Sequence, residues 1–130
     1  MRRLRGESGA ATVLALGLSA VLLVVLVLAA VVSDLLAARQ RAAAAADLGA
    51  LAGVPGLLHS DAEACAAAAY VVRANGAALR DCVVTGQDVR VVVSARPRGR
   101  WVALLDRLLG GVPEPTVRAH AGLRHDDGSP

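Results

Sequence analysis

Hydrophobic residues are distributed very unevenly along the chain, and one uninterrupted apolar run fills most of its first quarter. Residues 10–32 read AATVLALGLSAVLLVVLVLAAVV, and no charged residue lies between Ser8 and Ser33. As a helix this run is about 35 Å long, enough to cross a hydrocarbon core of about 30 Å. The alternative is a buried helix of a soluble protein, but the remaining chain is too short to surround an apolar cylinder of that length. The pattern therefore predicts a transmembrane helix over residues 10–33.

Helix-forming residues continue beyond the apolar run from Asp34 to Ala52, and Gly53 and Pro55 mark the end of the helix. The sequence thus predicts one continuous rod of about 43 residues, roughly 65 Å long. The outer part of the rod is predicted to carry a narrow apolar stripe of Leu36, Ala43, Ala50 and Leu51, with Leu48 nearby, and solvated Arg39, Arg41 and Asp47. Small alanine side chains allow close helix approach. The stripe packs either on the chain's own domain or on other subunits.

After a turn at residues 53–59, the pattern predicts a second helix from Asp61 to Ala74, ended by Asn75 and Gly76. A capping box precedes it, in which the Ser60 hydroxyl accepts the Glu63 N–H and Glu63 reaches back to the Ser60 N–H. At helical spacing one face of this helix is expected to enter the core, with Ala62, Cys65, Ala69 and Val72.

Alternating β-branched residues over 81–95 predict a hairpin that turns at Gly86. Its second strand places Val89, Val91, Val93 and Ala95 on one side, and Arg90, Val92 and Ser94 on the other. A short helix over 101–109 follows, with Trp101, Leu104, Leu105 and Leu108 on one face, and residues 115–123 supply a third strand. The prediction is an α+β fold: the long N-terminal helix, a second helix and a small antiparallel sheet of about three strands with helices on one face.

Composition and charge narrow the function classes. Aromatic residues make up 2% of the chain, so the small domain after the span buries little area per residue. The net charge of +3 is concentrated before the span, at Arg2, Arg3 and Arg5, and no aromatic residues interleave with the arginines as base-stacking would require. Nucleic-acid binding is therefore disfavoured.

The positive-inside rule predicts a single-pass protein of the cytoplasmic membrane with residues 1–9 as a cytoplasmic basic leader. Residues 34–124 then form an extracytoplasmic domain, and residues 125–130 are expected to be a disordered tail. A cleavable secretory signal is the rival interpretation, although signal cores are usually about 7–15 residues long.

The sequence contains few residues that could form a disulfide, bind a metal or catalyse a reaction. Cys65 and Cys82 are the only cysteines, and on an oxidising side of the membrane they are expected to form a disulfide that closes a loop worth roughly 3 kcal/mol. Two buried free thiols or an incomplete metal site are the alternatives. His59, His120 and His125 lack metal-ligand spacing and are interpreted as solvated. No phosphate loop or nucleophile motif occurs, so we expect no enzyme activity, cofactor or metal.

One surface cluster stands out, in which Arg96, Arg98 and Arg100 precede Trp101. The cluster contacts either anionic lipid head groups or an acidic partner, with Trp101 at the interface. The alternative is a solvated turn whose tryptophan packs into the core.

The chain also resembles a known family. RGESGAATV at residues 5–13, the apolar run, Ala38-Arg39-Gln40 and the alanine-rich stretch resemble the TadE-like proteins of tight-adherence pilus loci, specifically those encoded near secretion genes of actinobacteria. RANGA at 73–77 and CVVTGQDV at 82–89 extend the resemblance through residue 95.

The resemblance implies a non-enzymatic minor pilin- or pseudopilin-like subunit with a pilin-like domain, which helps to assemble a Tad-type pilus or secretion apparatus. Implied partners are the lipid bilayer, other pilin-like or TadE/TadF-like subunits and secretion platform proteins. Gly6 and Gly9 become candidate leader-peptidase sites, although Ala11 and Leu14 stand where related prepilins carry the acidic residue that follows the cut. A secreted or membrane-tethered small binding domain is the alternative function.

Overall fold

The computed structural model describes residues 7–122, and the predicted α+β architecture is confirmed: one long helix, two further helices and a three-stranded antiparallel sheet. In chain order the elements are α1 (Glu7–Gly53), a 3-10 turn (Val54–Leu58), α2 (Asp61–Ala74), β1 (Ala78–Thr85), β2 (Asp88–Ser94), α3 (Arg100–Leu109) and β3 (Thr116–Gly122). The basic leader residues Arg2, Arg3 and Arg5, and the expected disordered tail at 125–130, lie outside the described residues.

Helix α1 is continuous for 47 residues, which corresponds to about 70 Å. Its second half packs on α2, β2 and β3, so the chain's own domain takes up one face of this helix. That face consists of small residues: Ala38, Ala42, Ala45, Ala46, Gly49, Ala50 and Gly53. Of the predicted stripe, Ala50 is buried and Ala43 half-buried against the domain, whereas Leu36, Leu48 and Leu51 are exposed and do not pack on it. Close approach of α1 to α2 and the sheet requires short side chains, and leucines do not fit there.

Helix α2 has the predicted bounds, and its amino-terminal cap is half of the predicted box. The Ser60 hydroxyl accepts a hydrogen bond from the Glu63 N–H at 3.1 Å, as predicted. The reciprocal bond is absent from this cap, because the Ser60 N–H donates to the Gly56 carbonyl of the 3-10 turn at 3.0 Å. The 3-10 turn therefore replaces the Glu63 side chain as the partner of Ser60.

The buried face of α2 consists of Ala64, Ala68 and Val72. Of the predicted face only Val72 is correct, since Ala62 is exposed and Cys65 and Ala69 are half-buried. The prediction placed Cys65 and Ala69 where Ala64 and Ala68 are buried, because a run of alanines gives almost no periodic signal by which to choose the face.

The strand order is β1-β2-β3, with both pairs antiparallel. The hairpin turns at Gly86, whose φ is +62°, and β1 carries an irregularity between Leu79 and Asp81. The inner side of β2 is fully buried as predicted, at Val89, Val91, Val93 and the adjoining Ala95. On the other side Ser94 is also fully buried, and its hydroxyl accepts a hydrogen bond from Arg80 Nε at 2.7 Å.

The core lies between one sheet face and the helices α1 and α2. It is built from alanines of α1 and α2, Val72, the inner valines of β2 and Ala119 of β3. A disulfide between Cys65 of α2 and Cys82 of β1, with a Cα–Cα distance of 5.9 Å, joins the helical layer to the sheet at its edge. Few large side chains contribute to this core, so the covalent link adds stability that burial alone supplies poorly.

Candidate functional site

The amino-terminal half of α1 is the most unusual feature of the molecule. Among the described residues one helix is long and apolar enough to cross a membrane, and none of its most apolar 18-residue window is buried inside the protein. A core helix of a soluble protein of this length would be covered by its neighbours. Here Leu14, Leu16 and Leu23 are 74%, 71% and 63% exposed. The helix therefore has the dimensions and the uncovered apolar surface of a single-pass membrane anchor.

The hydroxyl groups within this segment are satisfied by the helix itself. Ser19 Oγ donates to the Ala15 carbonyl and Ser33 Oγ to the Ala29 carbonyl, each at 2.8 Å, and Thr12 Oγ1 donates to the Gly9 carbonyl at 2.9 Å. Such local bonds remove the cost of placing a hydroxyl in hydrocarbon. The weakly polar residues are thus compatible with a lipid environment.

Of the two candidate leader-peptidase positions, Gly6 lies outside the described residues. Gly9 lies near the beginning of α1, and a Cβ built on it meets nothing within 4 Å. The position is thus sterically open.

Asp34, the first charged residue after the span, connects α1 to the loop before α3. Its carboxylate accepts a hydrogen bond from the backbone N–H of Gly99, the N-cap residue of α3. The approach is so close that a Cβ on Gly99 would overlap the Asp34 carboxylate. A negative charge at the amino end of a helix also interacts favourably with the helix dipole. Asp34 therefore fixes the amino end of α3 to the point where the apolar run of α1 ends.

The predicted arginine and tryptophan cluster is divided among three environments. Arg96 Nε lies 3.6 Å from Glu114 Oε1, in a network where Arg80 also pairs with Glu114. The Arg98 guanidinium lies close to Gly76, at the end of α2. Arg100 and Trp101 begin α3, and Trp101 is 49% exposed, so the interpretation of a core tryptophan was wrong.

Helix α3 carries most of its apolar residues on the outside of the protein. Val102 is its buried residue, at 5% exposure, whereas Leu108 and Leu109 are each 72% exposed. We define the α3 apolar face as Trp101, Leu104, Leu105, Leu108 and Leu109. The clear helical period of the sequence predicted four of these residues on one face. Amphipathic periodicity does not reveal, however, whether an apolar face points to a core or away from it.

Hydrogen bonds define both ends of α3. The Gly110 N–H donates to the Asp106 carbonyl at 3.1 Å, and the Asp106 carboxylate accepts the Val112 N–H at 2.8 Å. These two bonds fix the turn that follows the helix, whereas the Asp34–Gly99 bond ties the amino end of the helix to α1. The α3 apolar face therefore begins next to the point where the apolar run of α1 ends.

The remaining candidate groups lie apart from one another. His59 Nδ1 is 3.7 Å from Glu63 Oε2 at an exposed site, His120 lies on the outer side of β3, and His125 lies outside the described residues. Within residues 7–122 no group of three or more His, Cys, Asp and Glu side chains is arranged to hold a metal ion.

No protein-family model, curated protein or solved structure matches the chain. Function is therefore inferred from α1 and the surfaces next to it.

Proposed function

We propose that this protein is a non-enzymatic, membrane-anchored minor pilin- or pseudopilin-like subunit that contributes to assembly of a Tad-type pilus or secretion apparatus. The observation that carries the proposal is the division of α1. Its residues 9–33 are apolar and exposed except at the half-buried Val27 and Val31. Its remaining part is an integral part of a small disulfide-linked domain over residues 34–122, which we call the head. A helix of this kind anchors its head rigidly beside the bilayer and can pack laterally with similar helices.

The outward face of the head portion of α1 supports lateral packing. Leu36 and Leu51 are 55% and 62% exposed, and Leu48 is 47% exposed. Because the head already packs on the small-residue face, these leucines remain available to other subunits. Implied partners are other pilin-like or TadE/TadF-like subunits and secretion platform proteins, whose helices would bury this leucine face.

The proposed localisation is the cytoplasmic membrane, with the N-terminus inside and the head extracytoplasmic. The Cys65–Cys82 disulfide favours an oxidising compartment for the head. The arginines before the span favour a cytoplasmic N-terminus. A reporter fused after Pro130 tests this orientation, since activity only in the cytoplasm would contradict it.

Site-specific photo-crosslinking in the native cell tests the assembly role. We expect a photoreactive residue at Leu36 or Leu51 to give discrete adducts with pilin-like subunits. Tyr70 on α2 is the matched control, because it is 71% exposed but lies away from the leucine face of α1. Equal adduct patterns at Tyr70 and Leu51, or no protein adducts at Leu36 and Leu51, would contradict lateral assembly.

The alternative, an exported small binding domain, is favoured by the position of the apolar helix near the N-terminus, where export signals also lie. Extraction of native membranes with alkaline carbonate, followed by N-terminal sequencing, distinguishes the two functions. An anchored subunit stays in the pellet with its span intact. A soluble chain that begins near Asp34 would favour the binding domain. The cut must lie before Ala38, because a cut beyond this residue would remove part of the core.

A further inference from the structure

We propose that α3 is an interfacial membrane helix whose apolar face lies in the boundary between head groups and acyl chains of an anionic bilayer. The bilayer is the same one that α1 crosses, so this inference rests on the proposed membrane anchor. Arg100 and Arg107 would contact anionic phospholipid head groups. The protein would then contact the membrane through α3, at the membrane-proximal end of the head, in addition to the span.

The first evidence is the level of α3 along α1. Its amino end is bonded to Asp34, immediately beyond the uncharged run. The path of β2 agrees independently, because Gly53, at the far end of α1, lies against Val89 near the start of β2. Strand β2 therefore runs back along α1 toward the span. The loop after Ser94 then places α3 at the membrane-proximal end of the head.

The second evidence is a local loss of exposure within the span. Over residues 9–33 all side chains are exposed except Val27 and Val31, which are half-buried. Both lie on the face of α1 that carries Asp34 and Ala38, since the spacings are three and four residues. The head thus reaches past Asp34 along the span, and α3, which contacts α1, is the element bonded at that level.

The depth of this contact fits an interfacial helix. Val27 precedes Asp34 by seven residues, so the covered segment extends about 10 Å into the apolar run. Interfacial helices bury their apolar face about 5–10 Å into the boundary of the bilayer. The head therefore reaches the depth at which an α3 lying along the surface would be seated.

The third evidence is the residue chemistry of α3. At 100° per residue, the α3 apolar face covers an arc of about 140°, and Arg100 and Arg107 follow at its flank. Leucines and a tryptophan beside arginines are typical of helices that lie in the interface of anionic membranes. A helix of ten residues is marginal in water without a buried face, and in α3 Val102 is buried and Leu105 half-buried while the other apolar side chains are exposed. A lipid surface at this position supplies the missing burial.

Trp101 is the only tryptophan of the chain and reports directly on this contact. The experiment uses the full chain reconstituted in phosphatidylcholine vesicles with and without phosphatidylglycerol, and in matching vesicles whose acyl chains are brominated near the head group. We expect blue-shifted Trp101 emission that the brominated lipids quench and that aqueous acrylamide quenches weakly. Arg100→Ser and Arg107→Ser should each lower the ratio of bilayer-bound α3 to free α3 by about fivefold in the anionic vesicles.

Leu104→Ser with Leu108→Ser should expose Trp101 to acrylamide. Val83→Ser is the matched control, because Val83 is 45% exposed on the outer side of the sheet and its replacement should leave the emission unchanged. All of these side chains are exposed, so the variants should fold, and protease resistance equal to that of the wild type verifies this.

The outcomes separate the two proposals. Release of the wild-type protein from vesicles by alkaline carbonate would overturn the anchor, and the α3 proposal with it. Stable insertion with Trp101 fully open to acrylamide and insensitive to brominated lipid would overturn only the interfacial role. Shielding of Trp101 that requires an added pilin-like protein would also overturn it, in favour of a protein-binding surface.

Discussion

Loss of the Cys65–Cys82 disulfide should destabilise the head strongly. The bond joins positions that are 17 residues apart, so it restricts the unfolded chain by about 3 kcal/mol. Both cysteines are half-buried, so Cys65→Ala with Cys82→Ala loses little buried area, and loop closure dominates the effect. For a domain of this size, a loss of about 3 kcal/mol lowers the melting temperature by roughly 12–24 °C. Much of the stability of such a small head depends on this bond.

Pulse proteolysis in urea on the detergent-solubilised full chain measures the free energy of unfolding of the head. Reductant provides the control, since it should lower the stability of the wild type to that of the double variant and leave the variant unchanged. A loss below about 1 kcal/mol would refute the loop-closure reasoning. Labelling of both cysteines in unreduced, denatured wild-type protein would refute the disulfide itself.

Three further substitutions test the packing and the local contacts. Gly49→Ala should lower the free energy of unfolding by about 1–2 kcal/mol, because its Cβ would lie 2.6 Å from Val72 Cγ2 and this overpacking exceeds the gain in helix propensity. In pulse proteolysis, the double variant with Val72→Ala should lose less stability than the sum of the two single variants. Ser60→Ala should cost about 1 kcal/mol by removing the acceptor of the Glu63 N–H, and Ser60→Asp should restore it; equal stability of all three proteins in urea would disprove the cap. Asp34→Ala should speed amide hydrogen exchange over residues 99–109 and leave the sheet protected, with a smaller effect for Asp34→Asn; an unchanged rate would show that this contact does not hold α3.

Local signals predicted much of the fold. The bounds of α2 follow from its serine cap and its Asn75 terminus, and the hairpin follows from valine alternation about Gly86, because these signals act within a few residues. These signals could not predict which face of the alanine-rich helices is buried. The predicted stripe of α1 combined leucines with alanines and left its partner open, whereas the face that packs on the domain consists of alanine and glycine.

The candidate site was only partly predictable for a similar reason. The apolar run identifies the span by length and composition alone. By contrast, the Asp34–Gly99 contact joins residues 65 positions apart, and no local pattern encodes it. Without that contact the direction of the α3 apolar face is undefined, so the periodicity of residues 101–109 was compatible with either a core helix or an exposed one.

The unbroken course of α1 from Glu7 to Gly53 has a mechanical consequence. Because no hinge separates the segment proposed to lie in lipid from the head, any tilt or rotation of one is transmitted to the other. Insertion of a single residue near Leu23 would turn the head by about 100° about the helix axis and lift it by about 1.5 Å. The direction that the head faces about the helix axis is thus determined by the number of residues in α1.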